Sequence, residues 1–468
     1  MQRMSSLASM TSVKTNAAVL FAAILASLAC LAFASLAHGA SVKPKTTMVS
    51  VKSNGKGGPA SSDFPSLSAT GRYSCFESLN KLTGTPDAGI DDDVFVHDRV
   101  TGKTVRASVK ANGKEPAGPA DSNSCSLSAD GKEVSFRSDA KLVGADNNGS
   151  EDVYVKNLRT GKVTLASVTT NGDQLSGVSV DNPRISGNGR YVAWDTDGAF
   201  SPADVNGFKD VYRNDLKTGK TVQVSLRYDG SQPVDGDSTE PSLSANGQRI
   251  AFESDDGSMT TDTDYQFLID KDIFVRDLKQ GTTVRASLSS NGDEPSYPFQ
   301  SPPSNVNSDN PVISADGKFV AFHSIGVYNG TDDNLSNGDV FIHSLATGKT
   351  SLVSLDSNGA QATGESGYTD PHPIEISADG RYVAFDSLAK LSGKDTDSVG
   401  DVYVRDRKLG KTQLATVKSN GKPLSSTDAA LPALSADGKW VAWASADPYA
   451  SGDANNDSDI FERGPVIP

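Results

Sequence analysis

The chain has 468 residues, rich in glycine (43) and proline (22) and poor in aromatics (7%), which suits many short strands joined by turns. Its formal net charge of -14 argues against a nucleic-acid partner, because no basic surface is there to displace phosphate counterions, and favours cation binding instead. With only three cysteines, and no long apolar-periodic stretch beyond residue 40 that reads as a helix, the fold is expected to be all-β and held by its core.

Residues 1–40 differ in kind. Arg3 and Lys14 precede an apolar run from Ala17 to Ala37, which ends in the small residues around Ser35–Ala40. That is the anatomy of a secretory signal; the alternative reading of the same run is a membrane anchor. Cys30 follows Ser27-Leu28-Ala29, a poor match to a lipoprotein acylation site, since hydrophobicity continues past it. No other segment could span a bilayer. A periplasmic or secreted protein is expected, with no transmembrane segment once the signal is removed. Cys75 and Cys125 then remain, and a bond between them is conceivable in an oxidising compartment if their Cα atoms lie within about 7 Å.

One phrase recurs seven times, ending at Gly71, Gly131, Gly189, Gly247, Gly317, Gly380 and Gly438; Pro432-Ala-Leu-Ser-Ala-Asp-Gly438 is one copy. The glycines are 60, 58, 58, 70, 63 and 58 residues apart. Each copy reads as four strands. A short apolar piece leads into the Asp/Asn-Gly turn, the preferred chemistry of a tight hairpin. A doubly buried strand follows, as in Arg381–Asp386, and then an alternating strand, as in Asp401–Asp406. A Thr-Gly turn and a fourth strand such as Thr104–Val109 complete the unit. Four antiparallel strands per repeat of this length is a propeller blade.

The expected architecture is a single seven-bladed β-propeller over residues 41–468. Its blades lie near 65–113, 125–172, 183–230, 241–292, 311–359, 373–421 and 432–463. The last copy supplies only three strands, and residues 45–53 match a fourth strand and nothing before it, so they are expected to close the ring. The motif Pro-x-φ-Ser-x-Asp-Gly-Lys/Arg-x-φ-Ala-Phe, followed by Asp-φ-Tyr/Phe-Val and a Thr-Gly turn, resembles the TolB-like, WD-like propeller repeats of bacterial exported proteins. The resemblance spans about residues 45–463. It implies the fold and an exported location; it names no activity, because such propellers serve as platforms in unrelated settings.

The loop between the second and third strands carries Asp-x-Asn/Asp-x-x-x-Asp in four copies: Asp146, Asn148, Asp152; Asp204, Asn206, Asp210; Asp395, Asp397, Asp401; and Asp453, Asn455, Asp459. Oxygen ligands at alternate positions of a turning loop, with a carboxylate anchored at a strand start, suit calcium. The spacing resembles the calcium loops of integrin-type propellers, two residues shorter. The competing reading is that these residues only form turns. Partial versions occur at Asp87 with Asp93, at Asp333 with Asp339, and at Asp262 and Asp264 with Asp272.

In an antiparallel blade these loops share a face with the longer links between blades, including insertions at 293–310 and 360–372. Tyr297, Phe299, Tyr368 and His372 in those insertions are candidates for a ligand rim. His97, His323 and His343 fall in strands and read as satisfied sheet residues. The Gly-Lys-Thr tripeptides lack the earlier glycine of a phosphate loop, and no Gly-x-Ser-x-Gly, catalytic zinc or triad is seen. Two functions compete. One is a monomeric, non-enzymatic binding module that presents a calcium-loaded face to a protein or polysaccharide. The other is a carbohydrate-active lyase or hydrolase, with carboxylates of the central pocket as acid and base.

Overall fold

The computed structural model describes residues 43–84, 91–117, 121–261, 270–295, 306–328, 337–361, 363–368, 374–424, 426–453 and 455–466. Residues 1–40, read as a signal, lie outside them. Among the described residues 28 strands form seven separate four-stranded antiparallel sheets, and no helix is present. Nor is any helix among them long and apolar enough to cross a membrane. The protein is a seven-bladed propeller.

Six blades are contiguous in sequence. Blade 1 runs Ser62–Leu67, Tyr73–Ser78, Asp93–Asp98 and Lys103–Arg106, from the inner strand to the outer. Blade 7 takes Ala429–Leu434, Val441–Ser445 and Asp459–Gly464 from the C-terminal end and Lys45–Met48 from the N-terminal end. The closing register pairs Thr46 with Arg463 and Met48 with Phe461. Residues just beyond Met48 repeat the habit of an outer strand. Val49 N donates to Ile460 O, and Val51 N then turns back to Val49 O; Ala107 and Val109 do the same in blade 1. That inverse γ-type turn ends the outer strand about three residues earlier than the sequence suggested.

In six blades the inner strand also begins two or three residues earlier than expected, because it carries a bulge. In blade 1 the register passes from Asp63 opposite Glu77 directly to Ser66 opposite Cys75. The extra residue precedes the proline or its equivalent and adopts a left-handed backbone: Phe64, Ser124, Asn182, Glu240, Asn310 and Leu431 all have φ between 50° and 56°. Non-glycine residues rarely accept that conformation, and here it recurs around the channel wall.

The Asp/Asn-Gly turns explain why the ring is tight on one face. Gly131, at φ 67°, leaves no room for a side chain, since a Cβ there would lie 2.2 Å from the Tyr73 ring of the preceding blade. Successive turns are also bonded to each other through backbone. Ala69 N donates to Ala129 O (2.9 Å), Ala129 N to Gly187 O (2.9 Å), Asn188 N to Ala245 O (2.9 Å) and Ala245 N to Ala315 O (2.9 Å). Asp316 N then donates to Ala378 O (3.0 Å), Ala378 N to Ala436 O (2.8 Å), and Asp437 N to Ala69 O (3.1 Å), which closes the circle. Small residues let the seven turns approach this closely. The core lies between blades, where second-strand aromatics such as Phe76, Trp194 and Trp443 are fully buried.

Cys75 of blade 1 and Cys125 of blade 2 are joined by a disulfide, with Cα atoms 6.3 Å apart.

Candidate metal loops and central channel

The acidic loops serve two purposes that their sequence does not separate. All seven third strands open with an aspartate, and one of its oxygens accepts a hydroxyl from the segment that follows the outer strand. The pairs are Asp93 with Ser108 (2.7 Å), Asp152 with Ser167 (2.6 Å), Asp210 with Ser225 (2.5 Å), Asp272 with Ser287 (2.7 Å), Asp339 with Ser354 (2.5 Å), Asp401 with Thr416, and Asp459 with Ser50 (2.5 Å). This bond ties third strand to fourth and needs no ion.

What remains of each carboxylate distinguishes the blades. Gln174 Nε2 donates to Asp152 Oδ2 at 3.1 Å, Asn206 Nδ2 to Asp210 Oδ2 at 3.0 Å, and Gln361 Nε2 to Asp339 Oδ2 at 2.5 Å. Arg106 and Arg285 pair with Asp93 and Asp272. So two of the four complete sequence patterns, those of blades 2 and 3, are capped by side-chain amides. In blades 6 and 7 the Oδ2 atoms of Asp397, Asp401, Asp453 and Asp459 are buried with no hydrogen-bond partner.

Blade 6 is the most concentrated. One oxygen from each of Asp395, Asp397 and Asp401 lies within 4.8 Å of the others, a cluster that could hold a metal ion. The loop orients them. Asp395 accepts the Tyr403 hydroxyl at 2.6 Å, and Asp397 accepts the Val399 amide at 3.1 Å. Burial, with the charges of Asp395, Asp397 and Asp447 behind it, pushes the Asp401 carboxyl up to about 7 against the Thr416 hydrogen bond. The buried Tyr449 hydroxyl also lacks a partner, and it sits in the field of Asp401, Asp447 and Asp397. In blade 7, Phe461 stands where the third strand of blade 6 has Tyr403, so Asp453 receives no such hydroxyl.

Of the proposed rim, Tyr368 lines the channel mouth, and its hydroxyl lies so close to Gly400 that a Cβ there would be 1.9 Å away. Tyr368 therefore reaches from the mouth to the strand start that carries Asp401. Tyr297, Phe299 and His372 lie outside the described residues, as do Asp87, Asp262, Asp264 and Asp333.

Sequence reading invoked a central pocket but named none of its residues. The residue before the last serine or threonine of each second strand is Glu77, Arg137, Asp195, Glu253, His323, Asp386 or, in blade 7, Ala444. Six of the seven are ionisable, each between an aromatic residue and a serine or threonine. Alignment of the repeats on their Asp/Asn-Gly turns would have exposed this. Most gather at the mouth, a cavity of about 450 Å³ on the acidic-loop face. Lys271 pairs with Glu253 at 2.7 Å, Lys209 with Asp181 at 3.0 Å, and Arg137 with Asp181. His97 and His343 are satisfied by Thr104 and Thr350 at 2.9 Å each, as expected of sheet residues. His323 differs: Nδ1 meets Asp309 at 2.8 Å, while Nε2 is buried without a hydrogen-bond partner beside the mouth.

The fold and these loops define a closed seven-bladed propeller with a polar channel and at least one acidic cluster able to hold a cation. No protein-family model matches the chain, and no curated protein does. Solved structures similar to it include TolB from Acinetobacter baumannii, at 14% identity over 81% of this chain and 68% of that one, with a TM-score of 0.40. An oligogalacturonate lyase in complex with manganese matches at 10% identity over 91% of both chains, with a TM-score of 0.49. The Swd1 propeller domain of Myceliophteria thermophila matches at 12% identity over 86% of this chain and 96% of that one, with a TM-score of 0.45. The propeller ring is what such a likeness concerns, and no activity follows from it.

Proposed function

We propose that this protein is an exported, monomeric binding propeller, released from residues 1–40, that uses calcium to order the loop face on which it docks a protein or polysaccharide. The observation that carries this reading is the blade 6 loop: three carboxylates within 4.8 Å, two of them with a buried oxygen that nothing bonds. The donor set is all oxygen, with no histidine or cysteine among the three, which suits a hard cation. Asp395, Asp397 and Asp401 are the preferred ligands, and Asp453 and Asp459 with Asn455 form a second candidate site. Asp146, Asn148, Asp152, Asp204, Asn206 and Asp210 are assigned to loop architecture instead, because amides already satisfy their final carboxylates.

Calcium there would fix the strand start beside Gly400 and, through Tyr368, one wall of the channel mouth. Ligand capture on this face should then depend on the ion. A screen of glycans and peptides, run with calcium and again with chelator, tests the reading. Binding that survives chelation unchanged would remove calcium from the function.

A further inference from the structure

One position of the innermost strands carries a charge in two blades. Three residues before the alanine of the turn stand Ser66, Ser126 and Ser242 in blades 1, 2 and 4. Their hydroxyls accept the next blade's backbone: Leu127 N at 3.4 Å, Ile185 N at 3.3 Å and Ile313 N at 3.0 Å. Blades 3 and 6 have Arg184 and Glu375 there instead. Both line the middle of the channel, three blades apart in a ring of seven, and the Arg184 charge acts on the Glu375 carboxyl across it.

The middle cavity holds about 220 Å³. Glu77, Arg137, Arg184 and Glu375 line it from blades 1, 2, 3 and 6, and Phe64 and Leu431 supply an apolar wall. Arg137 is already held, by Asn123 Oδ1 at 3.0 Å and by Asp181. Arg184 is not: among the described residues its guanidinium makes no hydrogen bond and no ion pair. A half-buried guanidinium with its fork open to a cavity is built for a bidentate anion.

We propose that this cavity binds a small organic carboxylate of about monosaccharide size, seated on Arg184 with its apolar side against Phe64 and Leu431. The site is separate from the calcium loops and does not rest on them. Its own acids tune it. Burial pushes Glu375 up to about 7, opposed by the Arg184 charge and the Ile376 amide. Glu77 is likewise pushed up to about 7 by burial, with Asp92 and Asp63 adding to the rise and the Ser124 amide and Arg137 opposing it. A carboxylate seated on Arg184 offsets the charge that holds the Glu375 carboxyl down, so proton uptake by Glu375 should accompany binding.

Titration calorimetry on the full protein, in two buffers of different ionisation enthalpy, tests this with lactate, benzoate and D-glucuronate, and with D-glucose as the neutral control. At least one carboxylate should bind with proton uptake, and each proton taken up should make affinity fall about tenfold per pH unit above pH 7. Glucose should bind far more weakly. Arg184→Met should abolish binding while melting as the wild type does, Arg184→Lys should retain part of it, and Glu375→Gln should lose most of the pH dependence and bind better at pH 8. No saturable binding by any of the three carboxylates, glucose binding as tightly as glucuronate, or an unaltered affinity in Arg184→Met would each overturn the proposal.

Discussion

Arg99 sits in the turn between the third and fourth strands of blade 1, yet most of what it does concerns blade 7. Its guanidinium lies 3.4 Å from the centroid of the Trp440 ring, and its Nε meets Glu462 Oε1 at 2.9 Å. Ser74 Oγ donates to the other oxygen of Glu462 at 2.8 Å. This latch joins the first blade to the last, at the seam where the ring would otherwise open. Losing one partner of a buried pair strands the other charge, so Arg99→Ala should cost about 3 kcal/mol by denaturant unfolding. Burial, opposed by Ser74 and Arg99, pushes Glu462 up to about 7. A carboxyl raised in the folded state contributes stability that is complete below its unfolded pKa, near 4.5, and is lost as pH rises through about 7. Unfolding free energies between pH 4.5 and 8 should therefore fall more steeply for wild type than for Glu462→Gln. Parallel slopes would mean the carboxyl is not perturbed. None of this was legible beforehand. Arg99, Trp440 and Glu462 stand far apart in sequence, and each occupies a place where its residue type looks unremarkable.

At the scale of loops and strands, the acidic motif alone does not rank the four loops as metal sites. Its pattern Asp-x-Asn/Asp-x-x-x-Asp recurs because the final aspartate bonds a serine or threonine in every blade, a demand of the fold. On this reading occupancy by a cation depends on what caps the second oxygen: Gln174, which lies outside the motif, in blade 2, and Asn206, the motif's own amide, in blade 3. Calcium titration should accordingly separate the loops. Asp401→Asn should lose binding, whereas Asp210→Asn should leave the number of bound ions unchanged. An affinity near the 10⁻⁴ to 10⁻³ M typical of extracellular modules is expected. Equal loss in both variants would restore the sequence reading. The disulfide belongs to the same scale, since it staples the second strand of blade 1 to the inner strand of blade 2. Its closed loop of 50 residues corresponds to about 4 kcal/mol of chain entropy. Unfolded, unreduced protein should show no titratable thiol at these positions, and Cys75→Ser with Cys125→Ser should melt at a lower temperature. Sequence left the bond open because only the packing of neighbouring blades brings the two Cα atoms within reach.

At the scale of the whole molecule, most of the fold was legible, and the reason is local. Six Asp/Asn-Gly turns and one Thr-Gly turn fixed the hairpins, alternation fixed the faces, and the missing outer strand of the last repeat matched residues 45–53. The bulges were hidden, since a left-handed residue before proline leaves no compositional mark. So were the residues of the channel, six ionisable side chains next to the last position of a strand that reads as buried on both faces. Deleting residues up to Ser50 should leave Asp459–Gly464 as an open edge, and light scattering should then report self-association. The closed ring should melt as a unit, so an ion bound at one loop should shift the whole transition. Each independent site filled at a hundredfold excess over Kd adds about 2.7 kcal/mol. Calorimetry of the wild type with calcium, with magnesium and with chelator is the most direct measurement. A higher melting temperature is expected with calcium than with magnesium or chelator, and loss of that difference in Asp401→Asn. Identical melting in all three conditions, with no calcium retained after dialysis, would contradict it and leave the blade 6 aspartates as turn formers.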